Sequence, residues 1–568
     1  MAVLTGTLRR TSSGGATGGG ITVELEQFAV LPTPQPGYPA VRSAGGNILI
    51  TAWPVEANPR ALTGSRRRIF VDDWYYRIHI NPHRIDLGNV VSTQTSLVRV
   101  WNAYLTPVTL QEIESGEEGV LVVGQPEPPF SIAALKELSW SVSVTPDGQP
   151  VLDTHIEWRF AGGHTARLRI TANRIVAWSL VPDWADGILE ELEWKTDVLA
   201  SETMVEQRRA LRLSPRRVLE ALVFAEGHER QLLDLMLYSW GSRVWALPIW
   251  PDIQLLAEGV PLGSYRINCQ TVGLDFEIGG IALLRGDDAF TYEVVEVSDI
   301  DATGLDLTRP TQQQWPARSR LYPARPAQLL EEPQLTRMTD QLQSLTVRFL
   351  ILDACDWPDQ MPATSYRGRA VLDTAPDESE DLTSTFARLQ ATLDSGLGLP
   401  LLTDLAQRAM PVCSWRWIDM GRAKRSELRS LLYALRGQQV PLWIPTFADD
   451  LTVVADIPAA VSHIDVRSIG YTRFASARPG RRDIRIQLTS GAVFYRRISS
   501  STELEGHIER LAIDSALGLD VPLGAVARIS WMVLSRLASD RAVIEHETDS
   551  EGVATCALTF RGVRDDEF

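Results

Sequence analysis

A chain of 568 residues has room for roughly three or four domains of ordinary size, and 44% hydrophobic with 22% charged residues is a globular rather than a disordered composition. A formal net charge of −16 argues against a surface built to neutralise nucleic-acid phosphates, so no specific nucleic-acid binding is expected. Scattered cysteines (Cys269, Cys355, Cys413, Cys556) with no CxxC fit free thiols, and the absence of any run of about 18 apolar residues excludes a helical membrane span.

Residues 1–70 begin with TSSGGATGGG and continue through Pro-rich LPTPQPGYP. Such composition cannot bury enough apolar surface to order itself, so this stretch reads as a flexible arm with a few extended strands. The N-terminus lacks an apolar signal segment, and synthesis in the cytoplasm is expected. Local basic runs, Arg66–Arg68 and Arg481–Arg482, read as solvated turns or partner contacts.

Residues 71–180 carry short alternating runs with turn signals between them: Tyr76–Ile80, Ser96–Trp101, Thr109–Ile113, Gly119–Val123, Trp140–Val144, Thr154–Phe160 and Thr165–Ile170. About seven strands in about 100 residues predict a β-sandwich. Within it, Leu87-Gly88-Asn89-Val90, then Asn102, then Pro107-Val108 hold the places of a family pattern. The stretch resembles the immunoglobulin-like domains of hydin and major-sperm-protein relatives, which implies a binding or spacer module without catalysis.

The remainder reads as a duplication. Arg230–Asp252 (RQLLDLMLYSWGSRVWALPIWPD) matches Arg425–Asp449 (RSELRSLLYALRGQQVPLWIPTFAD). Each is an amphipathic helix of about three turns, closed by Gly241 or Gly437 and followed by an aromatic strand ending at Pro248 or Pro445. Two further landmarks are aligned: Gly280–Arg285 with Gly491–Arg496, and Gly304–Leu307 with Gly518–Val521. The expected domains are 187–355 and 385–568, each a β-barrel or sandwich with one helix. A Pro- and acid-rich linker, 356–384, lies between them. The fold class is therefore mainly β, a β-rich α+β chain.

Chemistry is sparse. The eight histidines (His79, His83, His155, His164, His228, His463, His507, His546) match no metal-binding spacing, and no nucleophile elbow or phosphate loop is present. Asp299-Ile-Asp301-Ala-Thr303-Gly304 imitates the start of a calcium loop but has Pro310 where the bidentate Glu belongs, so it reads as a turn. No catalytic residue, metal or cofactor is expected. The aromatic cluster Trp74, Tyr75, Tyr76 and Trp101 is the candidate contact surface, for a glycan or for another protein.

Several long stretches together resemble tail-tip structural proteins of long-tailed bacteriophages: DDWYYRIHINPHRIDLGNV, VWNAYLTPVTL, LEWKTDVL with EQRRALRLSPRR, VWALPIW, VPLWIPT, and RISWMVLSRLASDRAVIEH with LTFRGV. The resemblance spans most of residues 70–563. It implies a distal-tail or baseplate protein that forms a trimeric or hexameric ring of itself in the virion. Its partners would be the tail tube, the baseplate hub and the fibre proteins. The alternative is a carbohydrate-binding receptor-recognition protein of the tail.

Overall fold

A computed structural model describes residues 74–564 apart from 91–92, 116–118, 146–150, 405 and 550–551. The N-terminal arm expected at 1–70 lies outside the described residues. The chain is mainly β and divides into two compact units, 1–174 and 175–568. No described helix is long and apolar enough to cross a membrane.

Among its described residues the first unit holds nine strands: β1 (Ile78–Asn81), β2 (Arg84–Val90), β3 (Gln94–Asn102), β4 (Val108–Ser115), β5 (Val120–Val123), β6 (Phe130–Ile132), β7 (Glu137–Val144), β8 (Val151–Phe160) and β9 (Thr165–Arg174). They form a four-stranded sheet, β1-β3-β7-β5, and a five-stranded sheet, β2-β9-β8-β4-β6. Alternation along β3 sends Val98 and Val100 inward, and Leu168 and Ile170 meet them from β9 in one shared core. Trp140 and Trp158 cross that core edge to face, 6.0 Å apart. Burying an indole of this size stabilises the sandwich by about 4–6 kcal/mol before entropy is counted. Asn102, fully buried, donates its amide to the carbonyls of Thr106, Ile132 and Ala133, and accepts from the Tyr104 N–H. It pins the chain where it turns from one sheet to the other.

The second unit contains two repeats with one pairing scheme. The first repeat is built from β13 (Arg216–Glu226), α1 (Gly227–Trp240), β14 (Trp245–Pro248), β15 (Ile281–Arg285), β16 (Tyr292–Asp301), β17 (Gly304–Leu307), β18 (Arg320–Leu329), β19 (Thr336–Arg337) and β20 (Leu342–Ile351). Ahead of it stand β10 (Ile188–Glu193) and the hairpin β11 (Thr196–Ala200) and β12 (Glu206–Ala210). The second repeat is preceded by β21 (Thr383–Ala387) and the hairpin β22 (Gln390–Leu393) and β23 (Leu401–Asp404). It continues with β24 (Met410–Asp419), α2 (Arg422–Leu435), β25 (Leu442–Pro445), β26 (Asp483–Leu488), β27 (Val493–Leu504), β28 (Ile508–Ile513), β29 (Val526–Leu537), β30 (Arg541–His546) and β31 (Ala554–Gly562).

In the first repeat β13 pairs with β20, β20 with β18, β18 with β14 and β15, and β15 with β16. In the second, β24 pairs with β31, β31 with β29, β29 with β25 and β26, and β26 with β27. Every one of these pairs is antiparallel. The preceding strand pairs with the first strand of its repeat in both cases, β10 with β13 and β21 with β24. None of the sheets closes into a barrel, so the repeats are open sandwiches.

This pairing re-registers two of the three aligned landmarks. Gly280–Arg285 runs into β15, whose counterpart by pairing is β26, whereas Gly491–Arg496 runs into β27 on the other arm of the same hairpin. Likewise β17 corresponds to β28, while Gly518–Val521 lies beyond it, where Val521 bridges Ile457 as Trp315 bridges Val260. The hairpins differ in length, and short apolar runs opening with Gly recur on both arms, so sequence matching slipped by one strand. The helix landmark keeps its place. Arg436 and Gly437 are both left-handed at the end of α2, with φ of 52° and 64°, whereas Gly241 stays right-handed. Gly437 is required for a second reason as well: a side chain there would collide with Asp540 and Trp194.

Residues 356–384, read above as linker, pack on the second repeat. Tyr366 donates its hydroxyl to Asp483 at 2.8 Å and accepts the Trp443 indole N–H at 2.9 Å, and Val371 bridges Trp443. The two repeats share one sheet, because β10 pairs on its far side with β30.

Candidate functional site

The four aromatic residues singled out from the sequence lie together at one end of the first unit. β1 and β3 are antiparallel, and their register sets His79 directly opposite Trp101. The two rings stack at 5.2 Å, and Trp74 stacks on the other side of His79 at 5.7 Å. Tyr75 meets Trp101 edge-on at 6.1 Å. His79 Nε2 lies 2.8 Å from the Trp74 carbonyl, which holds the stack in register, and Trp101 donates its indole N–H to the Leu135 carbonyl. Partial burial pulls the His79 pKa down, so the imidazole is neutral at pH 7 and the stack is an apolar, polarisable surface. Tyr76 is turned to a second group, Tyr104 and His164. Trp74, Tyr75 and Tyr76 are all exposed, whereas Trp101 is partly covered by its neighbours.

A second cluster escaped the sequence reading. Between the repeats lies a buried network of four arginines and three carboxylates. Glu190, on β10, reaches Arg217 Nε at 2.7 Å, Arg429 Nη2 at 2.8 Å and His546 Nε2 at 2.8 Å. Asp252, after β14, accepts from Arg425 and, at 3.4 Å, from Arg429. Asp275 accepts from Arg217 and, at 2.7 Å, from Arg325. Burial alone would raise the Glu190 pKa, but Arg217 and Arg429 override it and hold the carboxyl well below its ordinary value. Asp275 is lowered in the same way, against its own burial, by Arg217 and Arg325. Burial lowers the His546 pKa and outweighs the hydrogen bond that the imidazole makes to Glu190. Charges so fully paired and so far from solvent lock two elements together. They offer no substrate access.

A cavity of about 360 Å³ opens beside α2, lined by Met361, Leu372, Trp417, Asp419 and Leu428 among others. Burial raises the Asp419 carboxyl to about 6, and Lys424, at the rim, is bound to Glu427 at 2.6 Å. Ser430, also on the wall, accepts the Trp357 indole N–H at 3.1 Å. The calcium-like turn is occupied internally, since Asp301 binds Thr303 at 2.7 Å and Arg266 at 2.7 Å. Among the described residues, no three His, Cys, Asp or Glu side chains gather as a metal site. Burial raises the thiols of Cys269, Cys413 and Cys556 to about 12, which leaves them inert.

The sequence held one signal for the missed network: Arg425 and Arg429 at i and i+4 on the apolar side of a helix need buried acids opposite them. Comparison with known proteins adds little. No family model matches the chain and no curated protein matches it. Among solved structures, the secreted serine protease VesC from Vibrio cholerae overlaps with 11% identity over 44% of this chain and 50% of its own, at a TM-score of 0.15. The chain thus spans half the length of that protease, and so low a score carries no functional argument.

Proposed function

We propose that the chain is a structural assembly protein of the tail tip of a long-tailed bacteriophage, a distal-tail or baseplate ring component. It joins the tube to the receptor-binding parts and catalyses no reaction. The observation that carries this reading is the equivalence of the two repeats in one unit, pair for pair. Two equivalent domains per chain let three chains offer six near-equivalent positions to a sixfold tube. The sequence resemblance to tail-tip proteins points the same way, and supports a location in the virion after synthesis in the host cytoplasm. Light scattering and class averages of the purified protein test it. A closed ring with a central channel supports the reading, and a protein that stays monomeric at all concentrations opposes it.

One observation favours a second reading, carbohydrate recognition: the Trp74–His79–Trp101 stack, whose outer ring Trp74 is exposed. Flat apolar faces of this kind suit the C–H face of a sugar. Binding of host polysaccharide by the intact protein, lost in Trp101→Ala, supports that reading. Equal binding by both proteins removes it.

A further inference from the structure

The internal seam between the repeats has an unoccupied counterpart on the outside of the same chain, with its second ion pair recast: Asp234 stands at the helix position of Arg429, and the strand equivalent to β10 carries no carboxylate. On the inside, the first repeat contributes β10, the turn Pro251–Asp252 and the hairpin β11–β12. The second contributes α2, β30 and β29. The sheet runs across from β10 to β30. The stripe Arg425, Arg429 and Tyr433 of α2 is buried against Asp252, Glu190 and Trp194. The hairpin clasps the second repeat, with Glu206 gripping Arg536 at 2.7 and 2.9 Å and Thr196 N–H bound to Asp540.

Each of these parts has its counterpart with nothing to grip. Counted from the helix starts, α1 places Arg230, Asp234 and Tyr238 where α2 places Arg425, Arg429 and Tyr433. Tyr433 is buried, but Tyr238 is 91% exposed. Asp449, the counterpart of Asp252, is exposed, and among the described residues neither it nor Arg230 forms an ion pair. Among the described residues, β21 stands where β10 does yet pairs only with β24, and β19 stands where β30 does yet pairs only with β20. The hairpin β22–β23 extends from β21 as β11–β12 extends from β10, and its tip carries Leu397 and Leu399 at 96% and 99% exposure.

A groove of about 350 Å³ lies between β21 and the turn after β25, where Ser384, Phe386, Phe447 and Arg481 line it. The matching space in the first repeat is filled by α2. Arg481 lies over Phe386 and Trp531 with no ion pair among the described residues, opposite in sign to the Asp234 that an incoming α1 brings.

We infer that a second copy of this chain docks head to tail on this surface, its α1 entering the groove beside β21, with Arg230 of one copy paired to Asp449 of the other. The inference deepens the ring reading above and rests on it. Its grounds are the internal seam as template, the two open strand edges in matching places, and the charge complementarity. The seam is heterologous, so repetition continues until the rotation closes the ring.

The test is sedimentation velocity of the full chain and of Arg230→Glu, Asp449→Arg, their combination, and Leu397→Asp, all at surface positions that leave the fold intact by circular dichroism. Each single variant is expected to weaken self-association about tenfold or more, and the double charge swap to restore it to within about threefold. An oligomer with unchanged affinity in every variant overturns this surface and leaves the ring reading standing. Singles that weaken without rescue by the swap overturn the Arg230–Asp449 pairing. A wild-type chain that is still monomeric at roughly 100 µM overturns the ring reading and this seam together.

Discussion

Replacing Glu190 by Gln tests whether the buried network locks the repeats. The amide keeps the shape of the side chain but removes the charge that faces Arg217, Arg429 and His546. Removing one partner of a buried ion pair costs about 3–5 kcal/mol, because the remaining charge is left without compensation. Arg217 keeps Asp275 and Arg429 keeps Asp252, which puts the expected cost near the lower end. A unit of roughly 400 residues has an unfolding entropy of about 0.8 kcal/mol per degree, so Tm falls by about 4–6 °C. Differential scanning calorimetry at pH 7 reads this directly. Glu191→Gln is the control: its carboxylate pairs with the largely exposed Arg541, and the cost is under about 1 kcal/mol. A shift under about 1 °C for Glu190→Gln, or equal shifts for the two variants, refutes the reasoning.

Acid acts on the same network with a definite sign. Glu190 and Asp275 have folded pKa values below their unfolded ones, so their contribution is present above the unfolded carboxylate range and is lost as pH falls through the folded values. His546 is also lowered, so its part of the loss begins earlier, as pH falls below about 6.5. His546→Gln is expected to flatten the stability profile between about pH 6.5 and 5, measured by urea titration. Asp419 behaves oppositely: with its pKa raised to about 6, its contribution is present at low pH and is lost as pH rises through that value. Asp419→Asn is expected to raise Tm at pH 7 and leave it unchanged at pH 4, and carboxyl NMR titration of the wild type is expected to show the midpoint near 6. Asn102→Ala removes an amide that serves four backbone groups in the first unit and is expected to cost about 2–4 kcal/mol, read as a lower first transition in the calorimetric trace.

The first unit was legible because its strands are half buried, and period-2 alternation marks a half-buried strand. What the alternation did not mark were β2 and β6. The first is bent by an irregularity between Asp86 and Asn89, and the second is only three residues long. In the second unit the helix-and-Pro landmark stood out because Pro248 and Pro445 close equivalent strands. Registers beyond it were not legible, since apolar runs such as Ile281–Arg285 are buried on both faces and carry no period. The aromatic cluster is visible in the sequence as four residues, but the ring that completes the stack, His79, is weighed there only against metal-binding spacings. Charged residues such as Glu190 and Arg217 read as surface in one dimension. Only tertiary contacts across 239 and 356 positions, to Arg429 and His546, bring them inside.

Those separations bear on synthesis. Asp252 is translated 177 positions before Arg429. At the usual elongation rate of about 5–20 residues per second, the first repeat waits roughly 10–35 seconds with Asp252 uncompensated, Glu190 held by Arg217 alone and the far edge of β10 bare. During that interval the nascent chain presents an acidic, open-edged sheet, and the groove meant for α2 is empty. A neighbouring nascent chain on the same message offers an equivalent helix to that groove. A slower passage through residues 252–429 lengthens the interval in which such capture can occur.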